Sequence, residues 1–300
     1  MSDELAIGVD IGGTKIAAGV VDRAGHILTR RLVPTATQST DALVDAIVAV
    51  ARDLAAEAQV AAVGIGVAGL VDPTRSVVRS SSHLPLRDEP LRDRIATALG
   101  LPVMLDNDAH VGGLAELSLG AARGAEHALL VTVGTGIGGA VIINGRVHRG
   151  WQGEAGEIGH LIVERDGRHC PCGSRGCWEQ YASGRALMRA AAAAGLDAEH
   201  GSAVTAAASA GNPQAQAVFC EIGRWLGIGI ASLVAVLDPE VVVVGGGVSS
   251  AGDHLLKPAG EAFRTYLTAA GTRPEPRIVR ASFGPDAGVI GAAELARMVL

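Results

Sequence analysis

At 300 residues the chain is longer than one small hydrophobic core serves, so domain-size statistics favour two domains or two lobes with a cleft between them. Its formal net charge of -6, with no long block of Lys or Arg, leaves no electrostatic footprint for a polyanion and argues against a nucleic-acid partner. Met1-Ser2-Asp3-Glu4 lacks the basic start of a secretory signal, and the longest apolar run, Leu226 to Leu237, falls short of the ~20 residues a bilayer span needs. The expectation is a cytoplasmic protein with no membrane partner.

Ala6 to Val21 predicts a strand, a turn at Gly12-Gly13 and a second strand, and Asp22 to Gly25 turns the chain into a third at His26 to Val33. Asp41 to Ala58 then places Leu43, Ile47, Ala51, Leu54 and Ala58 on one helical face, with Thr40 as N-cap. Val60 to Val67 has the length and apolarity of a buried strand, a helix follows near Leu91 to Leu99, and Val103 to Leu105 is another buried strand. After Leu105 a helix starts at Asn107-Asp108 and runs through Leu114 and Leu117.

From Leu129 the opening pattern recurs: Leu129 to Val133, the glycine turn Gly134 to Gly139, Ala140 to Ile143, then Asn144-Gly145 and Arg146 to His148. That is an internal duplication with a period longer than any solenoid repeat. Asn212-Pro213 supplies an N-cap and a first-turn proline for a helix reaching Leu237, where Asp238-Pro239 stops it. Val241 to Val244 is a β-branched strand ending at Gly245-Gly246-Gly247, Arg277 to Ala281 a further strand, and Ala287 to Val299 the last helix. Strands alternating with helices after an antiparallel set imply an α/β protein with mixed sheets flanked by helices. No linker composition separates the halves, so the repeat sets the boundary: a small lobe over 1–110, joined by a C-terminal helix at 285–300, and a large lobe over 111–284.

Asp10 to Lys15 ends a buried strand with a carboxylate, two glycines, a hydroxyl and an ammonium. Glycine bares backbone N–H groups to phosphate oxygens, Thr14 and Lys15 can contact them, and Asp10 can hold Mg²⁺ directly or through water. The plain alternative is a hairpin turn and nothing more. Gly134, Thr135 and Gly136 repeat the chemistry at the matching place in the duplicate, and Gly245 to Gly247 end a strand where adenosine can lie close to backbone. A Rossmann reading competes, but Gly12-Gly13 opens a hairpin rather than a helix.

Cys170, Cys172 and Cys177 cluster within eight positions, which in a reducing compartment favours metal over disulfide. A closed tetrahedral site needs a fourth ligand, and spacing leaves both His160 and His169 open, although His169 adjoins Cys170 and would be cramped. Cys220 stands alone and reads as a small buried hydrophobe.

These motifs together resemble the ROK family of sugar kinases and repressors, within the actin-like ATPase (ribonuclease H-like) fold, over nearly the whole chain. The most specific match is Cys170-Pro171-Cys172-Gly173-Ser174-Arg175-Gly176-Cys177-Trp178-Glu179, which fits the family pattern CxCGxxGCxE at every fixed position. The resemblance implies a kinase of a free hexose, glucose first, using ATP and Mg²⁺ and assembled as a homodimer or homotetramer. Polyphosphate remains open as an alternative donor. It assigns His160, in Gly156-Glu157-Ile158-Gly159-His160, as the fourth ligand of a structural Zn²⁺. It also implies that Glu157, His160 and Glu179 bind hexose hydroxyls with backbone near Gly69, that Asn107 binds a sugar hydroxyl, and that Asp108 is the catalytic base. The bland readings are surface carboxylates for the two Glu and helix capping for Asn107 or Asp108.

Two positions depart from the glucokinase pattern. His83 replaces an Asn expected to touch the sugar, and His110 stands where the family often has Asn. Both keep kinase chemistry while opening the choice of substrate to N-acetylglucosamine, N-acetylmannosamine or mannose. A sugar-sensing repressor is the contrasting class; such proteins carry a helix-turn-helix before the first strand, and here that strand begins by Ala6. A non-catalytic sugar-binding module would leave Asp10, the glycine turns and Asp108 without a purpose.

Overall fold

In the computed structural model, which describes residues 5–300, the alternating apolar run at the start forms β1 (Leu5–Ile11) and β2 (Lys15–Val21), an antiparallel hairpin pairing Asp10 with Ala17 and Ile11 with Ile16. Met1 to Glu4, read above as lacking a secretory start, lie outside the described residues. β3 (Ile27–Pro34) adds antiparallel to β2, and α1 (Thr40–Glu57) follows. The cap of α1 is Ser39, whose hydroxyl accepts the Ala42 N–H at 3.1 Å, and not Thr40, whose hydroxyl donates to the Pro85 carbonyl instead.

β4 (Val60–Val67) returns parallel to β1. A small antiparallel sheet of β5 (Leu70–Val71), β6 (Val78–Ser80) and β7 (Arg87–Glu89) precedes α2 (Leu91–Leu99), which ends on Gly100 in the left-handed conformation. β8 (Val103–Asn107) lies parallel to β4 and passes without a break into α3 (Asp108–Ser118). One face of this sheet packs on α1 and α2 through Ile7, Val9, Leu43, Ile47, Leu54, Ile65, Ile95 and Leu105, all fully buried.

The duplicate begins with β9 (Ala128–Val133), β10 (Ile137–Ile143) and β11 (Arg146–His148). Asn144 and Gly145 between the last two both have positive φ, 52° and 67°, as a two-residue hairpin turn demands. After a 3-10 turn at Ile158–His160 come α4 (Glu179–Ala182), α5 (Gly184–Ala193), α6 (Gly201–Ser209), α7 (Pro213–Leu237), β12 (Val241–Gly245), α8 (Asp253–Tyr266), β13 (Arg277–Arg280) and α9 (Ala287–Arg297). The two large sheets have orders β3-β2-β1-β4-β8 and β11-β10-β9-β12-β13, the same arrangement written twice.

The chain divides into two compact units. The first takes residues up to Gly124, Ala140–Gly156 and Pro285–Leu300, and the second takes Ala125–Gly139 and Glu157–Gly284. In the first, α9 lies on the second face of the β1 and β4 sheet. A Cβ on Gly8 would come within 1.9 Å of the Val289 carbonyl oxygen, and one on Gly64 within 1.7 Å of that of Ala292, so only glycine lets the helix approach. In the second, α7 is capped by Asn212 and buries Phe219, Leu226, Ile230 and Val234. Its 25 residues are long and apolar enough, by length and composition alone, to cross a bilayer, which the shorter run Leu226 to Leu237 did not suggest. A Cβ on Gly227 would come within 2.2 Å of the Ala259 carbonyl oxygen in α8, the close approach of a core helix. Cys220, expected buried, is exposed on this helix.

Candidate active site

In the first unit, the turn between β1 and β2 carries Gly12, Gly13, Thr14 and Lys15, with Thr14 and Lys15 exposed. It is closed by Gly12 N–H donating to the Lys15 carbonyl at 3.0 Å and steadied by Thr35, whose hydroxyl donates to the Gly12 carbonyl at 2.7 Å. Asp10, at the end of β1, has its carboxyl pushed up to about 7 by burial and by the charge of Asp108, against the pull of Lys15. A Cβ on Gly288 would come within 2.4 Å of Asp10 Oδ2, so the start of α9 crowds the same carboxylate. His83 is exposed and lies against the turn: a Cβ on Gly13 would be 2.9 Å from His83 Cβ.

Asn107 is the N-cap of α3, its Oδ1 accepting the N–H of Ala109 at 2.9 Å and of His110 at 3.2 Å. Its Nδ2 donates to the Gly69 carbonyl at 3.1 Å, which joins Gly69 to the site and leaves one amide hydrogen of Asn107 for a ligand. Asp108 opens the helix and accepts the Ala109 N–H at 2.9 Å. A carboxylate there is favoured as the anion by the helix dipole.

Directly before this pair stands a group that motif reasoning passed over. Asp106, 2% exposed, receives Arg149 through Nε at 2.7 Å and Nη2 at 2.6 Å, and faces His110 Nδ1 at 3.1 Å. Burial acts to raise its pKa, but the hydrogen bond from His110 and the charge of Arg149 prevail and hold it below the usual carboxylate value. The only signal in the sequence was the spacing of Asp106 and His110, one helical turn apart; nothing local pointed to Arg149.

In the second unit, donor atoms of His160, Cys170, Cys172 and Cys177 all lie within 4.8 Å of one another. Cys172 and Cys177 sulfurs stand 3.6 Å apart, and Cys170 Sγ is 3.8 Å from His160 Nδ1. Tetrahedral zinc with bonds of about 2.3 Å to sulfur sets its sulfurs about 3.8 Å apart, so this donor set fits zinc. Of the two histidines left open by spacing, His160 is the one whose ring nitrogen lies with the three thiols, while the backbone of His169 pairs with Arg175 as an isolated antiparallel bridge. The Cys172 thiol is pushed down to about 7 by the Ser174 backbone N–H, and burial pushes that of Cys177 up to about 12. Nδ1 of His160 faces the thiols, while Nε2 faces Glu157 Oε2 at 3.9 Å.

Glu179 belongs to the glycine turn as much as to the cysteine loop. Its Oε2 accepts the Ile137 N–H at 3.0 Å. The turn is also held by Gly184 N–H, at the start of α5, donating to the Gly134 carbonyl at 2.8 Å, and by Gly134 N–H donating to the Gly136 carbonyl at 2.9 Å. Thr135 accepts the Arg185 N–H at 3.4 Å. Gly246 has φ 81°, and a Cβ on it would come within 2.5 Å of the Val133 carbonyl, so the third glycine run abuts the residue before Gly134. A Cβ on Gly247 would meet nothing within 4 Å, which leaves open space for a ligand beside that backbone.

A family model described as the ROK family matches residues 6–299. A glucokinase of Streptomyces coelicolor is 41% identical over 313 residues, covering 98% of this chain and 98% of its own. An N-acetylmannosamine kinase of Escherichia coli is 34% identical, covering 97% of this chain and 98% of its own. Among solved structures, a ROK family glucokinase of Streptomyces griseus, in complex with glucose and AMPPNP, is similar with a TM-score of 0.91 and 42% identity, over 98% of this chain and 99% of that one. The chain belongs to the ROK family, and its doubled mixed sheets flanked by helices are those of the actin-like ATPase fold.

Proposed function

We propose that this chain is an ATP-dependent hexose kinase that converts glucose to glucose 6-phosphate, with Asp108 taking the proton from the attacking hydroxyl. The observation that carries the reading is the placement of Asp108 at the start of α3, near enough to Asp10 beside the first glycine turn for its charge to be felt there. One carboxylate is then the base and the other the anchor of a cation. Burial and like charge make the ionised form of Asp10 costly, and Mg²⁺ held there relieves that cost while offsetting charge on the transferring phosphoryl group. Gly12, Gly13, Thr14 and Lys15 would bind phosphate oxygens, as would Gly134, Thr135 and Gly136, with adenosine beside Gly245 to Gly247. Glu157, His160, Glu179, Asn107 and backbone near Gly69 would hold the sugar.

Zn²⁺ on His160, Cys170, Cys172 and Cys177 has a structural role here, since a closed four-ligand site leaves no position for substrate. We take the protein to act in the cytoplasm as a homodimer or homotetramer, as the family resemblance implies. An N-acetylhexosamine kinase is the second reading, favoured by His83 at the first glycine turn and by the likeness to N-acetylmannosamine kinase. A coupled assay of ADP release across a panel of hexoses and N-acetylhexosamines, run in parallel with polyphosphate as donor, tests both. Glucose is expected to give the highest kcat/KM with ATP; turnover no greater with any sugar than without one would overturn the kinase reading.

A further inference from the structure

The contacts of His110 have a proton count that the catalytic reading leaves unused. His110 is 2% exposed, and its Nε2 lies 2.6 Å from the Ala155 carbonyl oxygen while Nδ1 lies 3.1 Å from Asp106 Oδ1. A carbonyl and an ionised carboxylate can only accept hydrogen bonds, so both contacts are made at once only when both ring nitrogens carry hydrogen. A neutral ring keeps one and turns a lone pair toward the other acceptor.

The remaining neighbours do not supply a substitute. Asp106, on β8, is gripped by Arg149, from the stretch after β11, and its Oδ1 also accepts the Asn107 N–H at 2.9 Å. Arg75, in the turn between β5 and β6, is near enough to Asp106 and Arg149 to feel both charges. α9 meets α3 through Gly291 at Val111, and its Glu294 and Arg297 pair with each other. Arginine stays charged at every accessible pH, so within this set the hydrogens on the His110 ring decide whether both contacts are made. Ala155 stands two residues before Glu157, and Asp106 two residues before Asp108.

We infer that His110 is a positioning residue for the phosphoryl transfer: as the imidazolium it ties the backbone leading into Glu157 to the base-bearing start of α3. The inference rests on the hexose-kinase reading. Loss of the second proton or of the ring breaks one tie while Asp106 stays held by Arg149. Since Ala155 leads to a sugar ligand, the cost falls on sugar affinity.

Glucose KM and kcat measured from about pH 5.5 to 8.5 on the full-length protein, His110→Gln and His110→Asn test this. Gln puts an N–H near the place of Nε2 and keeps the tie to Ala155; Asn puts one near the place of Nδ1 and keeps only Asp106. Expected are a glucose KM that rises about five-fold with pH in the parent, the scale of one lost hydrogen bond. His110→Gln should give a flat, low KM, and His110→Asn a KM about five-fold higher throughout, with kcat in each within about two-fold of the parent at the same pH. Titration of Asp10 or Asp108 would move all three proteins alike and so separates from this effect. Parallel pH profiles of KM in the parent and His110→Gln, or a fall in melting temperature with KM unchanged in both variants, would overturn the inference. A parent with no turnover on any hexose would instead overturn the kinase reading beneath it.

Discussion

Glu179 Oε2 accepts the backbone N–H of Ile137 at 3.0 Å, and a Cβ on Gly136 would come within 2.0 Å of that same oxygen. The residue two positions after the last cysteine of the cluster therefore fixes the far end of the second glycine turn. Cysteine loop and glycine turn share one carboxylate, so a shift of one is felt by the other.

Replacing Gly136 with Ala should break this link with little harm to the core. The added methyl pushes Glu179 off Ile137, and displacements of about 1 Å near reacting groups cost on the order of 10²-fold. Steady-state kinetics should show kcat/KM for ATP reduced at least ~10-fold with the melting temperature within a few degrees of the parent. An unchanged KM for ATP together with unchanged kcat would mean the turn does not contact the nucleotide.

Asp108→Asn keeps the size of the side chain and removes its basicity. We expect kcat to fall at least ~10²-fold, as general-base removal typically does, while calorimetry still detects glucose and nucleotide binding. Near-native turnover would refute Asp108 as the base.

The raised pKa of Asp10 carries a sign that thermal melts can read. Folding lifts it from 3.8 to about 7, so between those values the folded chain holds a proton that the unfolded chain has released. Stability from this group is therefore greatest at low pH, falls as pH rises across the window and is level above it. Without Mg²⁺ at about pH 8, Asp10→Asn should melt at least ~2 °C above the parent, whereas turnover is lost. A variant that melts lower than the parent would contradict the cost assigned to this carboxylate.

Protein purified without chelator should contain about one zinc per chain by elemental analysis, and Cys172→Ser should lower both metal content and melting temperature. Retention of the full metal content by a His160→Ala variant together with loss by His169→Ala would reverse the ligand assignment.

The doubling of the fold was legible because it rests on turn chemistry: Gly12-Gly13, Asn144-Gly145 and the glycine runs each mark a place where backbone must turn or come close. The gathering of Cys170, Cys172 and Cys177 was legible because three thiols at short spacing have few other uses. What was hidden depends on contacts between distant segments. Asp106 and Arg149 are 43 positions apart, and no local pattern announces their pairing. Ser39 and Thr40 are adjacent hydroxyls, and Thr40 lost the capping role because Pro85 offered it an acceptor across the fold. β5 to β7 are too short for any periodicity to register, and Cys220 lies among apolar neighbours on the outward face of α7.

The placement of α9 has a consequence for biosynthesis. Val289, Ala293 and Ala296 complete a buried cluster with Ala6, Val21 and Ala62, residues made before and after the whole second unit. A ribosome delivers the first sheet early, yet the helix that seals one side of it follows the whole second unit out of the exit tunnel. The intervening second unit has all its strands and helices in hand before that moment, since its final segment ends at Gly284. The unit bearing Asp10 and Asp108 thus closes after the second unit has been made, and until then the sheet face with Ala6, Gly8, Ala62 and Gly64 lacks its covering helix.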